Sequence, residues 1–432
     1  MNEGRWSKRP MGRREKRARS RREKRRYYVV FAISVVFLAL AAAAAVFLLE
    51  NNRENIRLEV PNQPVLHNVG KHLSDVWAAE TLEYMSLEEK ICQMFLVRCP
   101  EENAAQVAAA YPFGGYILFA RDFANRQPQQ MKEEIASYQR AAQIDMLICV
   151  DEEGGSVNRV SRYSQYGAAP FQSPQRLYQE GGWERIISDT VSKADFLKNL
   201  GINVNMAPVC DVTTDPSAYM YERAFGQGAR MTAIYAKTVV ETMKEKRIGS
   251  VLKHFPGYGN NTDTHTAAAV DERSYEEFQE RDFLPFKSAI AGGADAVLVS
   301  HTVVTAMDDA YPASLSPRVH QILRQELGFE GVIITDDLVM AAAASFASPE
   351  EVAVMAVEAG NDMLCCTDYE TQILAVYQAV QEGRISLERI DESVQRILKW
   401  KYELGVIPPK EDFRPISSFF QDSQQWPVLT AD

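Results

Sequence analysis

Between residues 91 and 366 a short apolar run gives way eight times to a longer stretch whose apolar residues recur at helical spacing. The runs are 91–97, 115–119, 146–150, 202–207, 248–252, 294–299, 331–335 and 362–366. Continuous apolarity over so few residues suits a strand covered on both faces, as in a parallel sheet. The intervening segments lie near 126–142, 183–199, 230–246, 275–291, 316–326, 349–359, 370–381 and 386–404. In 230–246 the apolar side returns at Ala233, Ala236, Val240 and Met243, one face of a helix. Ser348-Pro349-Glu350-Glu351 carries the cap, the proline and the acidic first turn of a helix start. Repeated strand–helix alternation predicts parallel strands joined by right-handed crossovers. Eight such units predict an α/β fold of the closed (β/α)8 TIM-barrel type rather than an open doubly wound sheet. No glycine-rich phosphate loop follows any run. Hydrophobic residues make up 46% of the 432. Such a barrel typically needs about 250 residues plus insertions, and the segment expected to form it runs over 71–407.

Active sites of such barrels sit where strands end and loops lead into helices. Polar residues gather there in this chain. Ala120-Arg121-Asp122 follows the second run, Asp151-Glu152-Glu153-Gly154-Gly155 the third, with Arg159 beyond, and Asp211 the fourth. Lys253-His254-Phe255-Pro256-Gly257 and Asp263-Thr264-His265 follow the fifth, His301 the sixth, and Asp336-Asp337 the seventh. Helix capping accounts for one or two such carboxylates. It does not account for Asp, Lys and His converging on one end of an apolar barrel.

The chain's net charge of −11 hides an asymmetry. Residues 1–26 hold 13 Lys/Arg and 3 Glu, a net of +10 against −11 for the whole, so the other residues carry −21. An acidic body argues against a nucleic-acid partner. Residues 27–49 are uncharged and long enough to cross a bilayer as a helix. The basic stretch before them, 1–26, is expected on the cytoplasmic side by the positive-inside rule. The expectation is therefore a single-pass signal-anchor with the barrel outside the cell, tethered through 50–70, and a C-terminal tail over 408–432. A cleaved signal peptide is the competing reading; its apolar core is usually shorter. An outside location permits disulfides among the six cysteines. Four of them, however, lie in apolar runs, where buried free thiols are as ordinary. No paired C-x-x-C metal spacing is present.

The segments DEEGGSVNR (151–159), GINVNMAPVCDV (201–212), ERAFG (222–226), KHFPGYG (253–259), DTH (263–265), TDDLVM (335–340) and AGNDML (359–364) resemble glycoside hydrolase family 3, in family order over about 75–405. Within it they are most similar to the β-N-acetylglucosaminidase branch. The resemblance implies a barrel catalytic domain and a retaining mechanism without metal or other cofactor. It implies Asp336 as nucleophile, and Asp151, Arg159, Arg223, Lys253 and His254 as sugar-binding residues. Family β-glucosidases usually draw their acid/base from a second domain after the barrel, which is not expected here. The N-acetylglucosaminidase branch uses an Asp-x-His dyad on the loop after strand five, which implies His265 as general acid/base and Asp263 as the group orienting it. Two departures stand out. Tyr258 replaces the branch's frequent His, and Ala267-Ala268-Ala269 replaces its Leu-Pro; the second bears on the mobility of the loop carrying His265.

His265 suits proton transfer because an unperturbed imidazole titrates near working pH. Asp337 reads better as a supporting group than as a second nucleophile, His301 as a hydrogen-bonding residue of the barrel mouth, and Glu152 and Glu153 as loop-shaping or ion-paired groups. The expected reaction is removal of terminal β-linked N-acetylhexosamine, from peptidoglycan fragments given the outward topology. Alternatives of other kinds are a β-glucosidase or β-xylosidase of the same fold, a metal-dependent barrel hydrolase using His254, His265, His301 and Asp336, and a non-catalytic wall-glycan-binding surface protein.

Overall fold

A computed structural model describes residues 64–167, 169–259, 269–366 and 368–408. The expected transmembrane span 27–49 and the basic segment before it lie outside the described residues. Among the described residues no helix is long and apolar enough to cross a membrane.

The eight strands of the barrel are β1 (Phe95–Arg98), β2 (Gly115–Leu118), β3 (Leu147–Val150), β4 (Val204–Asn205), β5 (Gly249–Phe255), β6 (Ala296–Val299), β7 (Val332–Thr335) and β8 (Leu364–Cys366). They form one parallel sheet in the order β7-β6-β5-β4-β3-β2-β1-β8. A parallel bridge between Ile334 and Met363 draws the two edge strands together and brings the ring to near closure. The Thr335 amide donates to the Met363 carbonyl at 3.0 Å across that seam. Asp362, buried at the start of β8, reinforces it: its Oδ2 accepts the Ile333 amide at 2.9 Å, and Arg324 and Arg396 pair with the same carboxylate. The barrel interior is filled by side chains such as Ile117, Cys149, Val251 and Ile334, all buried, as expected of a packed core rather than a pore.

Helices cover the strands outside: α1 (Pro64–Glu83), α2 (Leu87–Gln93), α3 (Ala104–Ala110), α4 (Pro128–Ala141), α5 (Pro174–Asn199), α6 (Ala229–Glu245), α7 (Phe283–Ala291), α8 (Pro317–Gln321), α9 (Pro349–Ala359), α10 (Tyr369–Gln381) and α11 (Leu387–Leu404). Three expectations need correcting. Ile91–Gln93 belong to α2, not to the first strand, because Ser86 and Glu89 close a capping box that commits the segment to helix. α1 begins at Pro64, inside the stretch expected to be a tether. α5 starts nine residues earlier than the apolar spacing indicated, because Gly181 and Gly182 kink it and break the period. Cys92, Cys99, Cys149 and Cys210 are buried free thiols, and Cys365 is buried as well.

Candidate active site

The carboxyl ends of the strands open into one cleft of about 590 Å³. Asp151, Arg159, Arg223, Lys253, His254 and Asp336 all line it, together with Arg98, Phe119, Tyr219 and Asp337. Six of the eight residues expected to bind or cleave sugar therefore share one wall system. The other two, Asp263 and His265, fall within 260–268, outside the described residues.

Each group is carried to the cleft by the end of a different strand. Lys253 and His254 are the last polar residues of β5, Asp151 follows β3, and Asp336 follows β7. Lys253 Nζ lies 2.6 Å from Asp151 Oδ1 and 2.6 Å from Glu153 Oε1. Arg223 holds Glu153 with two nitrogens, Nε to Oε2 at 3.0 Å and Nη2 to Oε1 at 2.8 Å. Burial works against ionisation of Glu153. The Arg223 and Lys253 charges overcome it and hold the carboxyl well below the usual carboxylate range. Behind this pair, Lys193 Nζ donates to the Glu153 carbonyl at 3.0 Å and pairs with Asp189.

His254 is set from both sides. Its Nδ1 lies 2.8 Å from Asp211 Oδ2, and its Nε2 lies 3.3 Å from Arg223 Nη2. A guanidinium can only donate, so Nε2 accepts and Nδ1 carries the proton toward Asp211. Asp211, buried, also accepts the His254 and Tyr258 amides at 3.2 and 2.7 Å, which ties the root of the loop after β5 to the end of β4. Arg159 reaches Asp151 more loosely, at 3.9 Å, while its amide donates to Glu152 Oε2 at 2.9 Å. Glu152 accepts from the amides of Val160 and Ser161 as well, so it shapes the loop. Glu153 is buried behind the cleft, where it pairs with Arg223 and Lys253.

Asp336 stands at the head of the turn after β7. Its amide donates to the Val299 carbonyl at 3.0 Å, and its Oδ1 accepts the Asp337 amide at 2.9 Å. His301, fully buried, uses Nδ1 toward Ser314 Oγ at 2.6 Å and Nε2 toward the Asp337 carbonyl at 3.0 Å. Both histidines among the four invoked by the metal-hydrolase alternative that are described thus spend their nitrogens on protein partners. The arrangement presents one carboxylate on a rigid strand end facing a floor of paired cations and carboxylates. That can fix the hydroxyls of a sugar ring while a carboxylate attacks it. Arg98, at the end of β1, also lines the cleft and escaped the sequence reading. The question asked of the other strand ends would have found it, since it directly follows the first apolar run.

Comparison with known proteins agrees with this geometry. The sequence model described as the glycosyl hydrolase family 3 N terminal domain matches residues 86–400. A relative in Stenotrophomonas maltophilia named beta-hexosaminidase is 37% identical over 243 residues, 54% of this chain and 69% of the relative. One of the same name in Nitrosomonas eutropha is 31% identical over 309 residues, 67% of this chain and 86% of the relative. A solved family 3 β-N-acetylglucosaminidase from a Paenibacillus species superposes with a TM-score of 0.70 at 31% identity. That match covers 76% of this chain and 65% of the Paenibacillus chain, so this chain spans just under two thirds of its length. The β-N-acetylhexosaminidase from Beutenbergia cavernae superposes with a TM-score of 0.65 at 25% identity, over 73% of this chain and 98% of the other.

Proposed function

The chain belongs to glycosyl hydrolase family 3, and from that membership we propose that it is a β-N-acetylhexosaminidase that removes terminal β-linked N-acetylglucosamine with retention. The observation that carries the proposal is the gathering of Asp336, Lys253, His254, Arg223, Arg159 and Asp151 on one cleft at the carboxyl ends of the strands.

The reaction runs in two steps. The Asp336 carboxylate attacks the anomeric carbon and forms a glycosyl ester while the bond to the leaving oxygen breaks. His265 gives that oxygen its proton. Water then attacks the same carbon, His265 takes the water's proton, and the ester bond breaks to return the Asp336 carboxylate. Asp263 orients the imidazole and stabilises its charged form. Asp151, Lys253, Arg223, Arg159 and His254 fix the sugar's hydroxyls and amide. If His265 is the proton shuttle, His265→Ala slows substrates with poor leaving groups far more than activated aryl glycosides, and the covalent intermediate accumulates. Equal loss on every substrate would exclude that role.

The natural substrate we propose is a peptidoglycan fragment bearing N-acetylglucosamine, met outside the cell by a barrel anchored through 27–49. The uncharged span and the basic segment before it support this placement. A panel of nitrophenyl glycosides on the full chain tests the activity. The β-N-acetylglucosaminide should turn over at least tenfold faster, in kcat/KM, than the β-glucoside or β-xyloside, a ratio of about 1.4 kcal/mol. Preference for the glucoside or xyloside would support the other branch, and absence of turnover on all would support a glycan-binding role.

A further inference from the structure

The turn after β7 holds a second carboxylate directly beside Asp336, and other strands grip it. Asp337 Oδ2 accepts from Arg98 Nη2 at 2.7 Å, and Asp337 Oδ1 accepts the Val339 amide at 3.1 Å. The Asp337 amide is the one that donates to Asp336 Oδ1, and its carbonyl accepts from His301 Nε2. Arg98 is itself steered, since its guanidinium lies 4.5 Å from the centroid of the Phe119 ring. Residues from β1, the end of β2 and the end of β6 thus converge on one turn of β7.

We propose that Arg98 is a positioning residue for the nucleophile, acting through Asp337. It fixes the 336–337 turn and supplies the counter-charge that lets Asp336 stay ionised beside a second carboxylate. The proposal rests on the reading of Asp336 as nucleophile. Two neighbouring carboxylates without a cation take up their first proton at raised pH, and a shared proton disables either as a nucleophile. Burial pushes the Asp337 carboxyl up, the Val339 amide and Arg98 pull it back, and Asp336 adds to the upward push. The other charged groups of the cleft, Asp151, Arg159, Arg223, Lys253 and His254, are engaged with one another, with Glu153 or with Asp211. His301 Nε2 lies 3.0 Å from the backbone carbonyl of Asp337. Arg98 pairs with the Asp337 carboxylate at 2.7 Å.

The test is the pH profile of kcat/KM on an activated aryl β-N-acetylglucosaminide, for the full chain and its Arg98→Met, Arg98→Lys and Asp336→Asn variants. Thermal unfolding establishes which variants are folded. In Arg98→Met the acid limb should move up by about one pH unit. At the optimum kcat should fall roughly tenfold or more, with KM changing less. Arg98→Lys should return the limb toward its original place, because the charge is restored, and recover only part of kcat, because an ammonium cannot reproduce the guanidinium's Nη2 bond to Asp337 Oδ2 together with its placement over the Phe119 ring. If Arg98→Met does not fold, a limb displaced in Arg98→Lys by as much as a lost charge would move it overturns the proposal. In a folded Arg98→Met, an unmoved acid limb overturns it, as does a loss carried by KM alone, which would make Arg98 a sugar-binding residue. Turnover surviving in Asp336→Asn would overturn the nucleophile assignment first, and the proposal with it.

Discussion

Burial alone would keep the Glu153 carboxyl neutral, yet it lies below the usual carboxylate range because Arg223 and Lys253 both close on it. Removing its charge leaves two cations in the cleft floor without their shared partner. Breaking one side of such a buried set costs several times what an exposed pair does. Glu153→Gln should therefore lower kcat/KM by roughly 100-fold, about 3 kcal/mol, while the fold survives. Steady-state kinetics beside a circular dichroism melt checks this, and wild-type kinetics in the folded variant would remove Glu153 from the cleft's machinery. At this scale the sequence was informative where a polar residue broke a fully apolar strand end, as at Asp151, Lys253, His254 and Asp336. It left open which of Glu152 and Glu153 would shape the loop and which would be ion-paired, because that depends on how Gly154 and Gly155 turn the chain. Both have positive φ, and a side chain at Gly154 would meet the Gln172 carbonyl 2.2 Å away. The roles of Asp211 and Arg98 were equally hidden, since each acts on a partner far away in sequence, His254 and Asp337.

Among the elements, α11 carries a conflict between charge and burial. Lys401 is fully buried, and its ammonium reaches Gln93 Oε1 at 2.7 Å. Desolvation pulls its pKa down from 10.5 to about 7. Between those values the unfolded chain binds a proton that the folded chain does not, so stability rises with pH across that window. The cost is fully present below about pH 7 and is gone above about pH 10.5. Lys401→Met should accordingly raise the melting temperature most at pH 6–7, with the gain shrinking toward pH 10. The Gln93 carbonyl left without its donor offsets part of it, about 1–3 kcal/mol. Melting curves at several pH values check the trend, and a pH-independent difference would refute the linkage. Element order was legible because strand and helix periods alternate. Element ends were less so: an apolar run such as 91–97 reads the same whether helix or strand, and only the Ser86–Glu89 cap separates them. The helix over Ala104–Ala110 escaped notice because its short alanine-rich stretch, with Gln106 and Val107 alone between alanines, carries no amphipathic period.

For the whole molecule, the sequence's eight repeats and the nearly closed eight-stranded ring agree, and the charge asymmetry sets the remaining expectation. A basic segment followed by an uncharged span should leave the barrel outside the membrane. Protease added to intact cells should remove the barrel and leave a small membrane-embedded stub; a barrel protected until lysis would reverse the orientation. The cleft's position at the carboxyl ends of the strands follows from the fold, but the proposed retaining chemistry rests on one residue, Asp336. The most direct measurement is therefore a mass-spectrometric map of the full chain after reaction with a slow fluorinated N-acetylglucosaminide that traps the glycosyl-enzyme. The account predicts one sugar per chain, on the peptide and side chain of Asp336. A label on Asp337 or on a glutamate, or full turnover with no trapped ester at any residue, would contradict it.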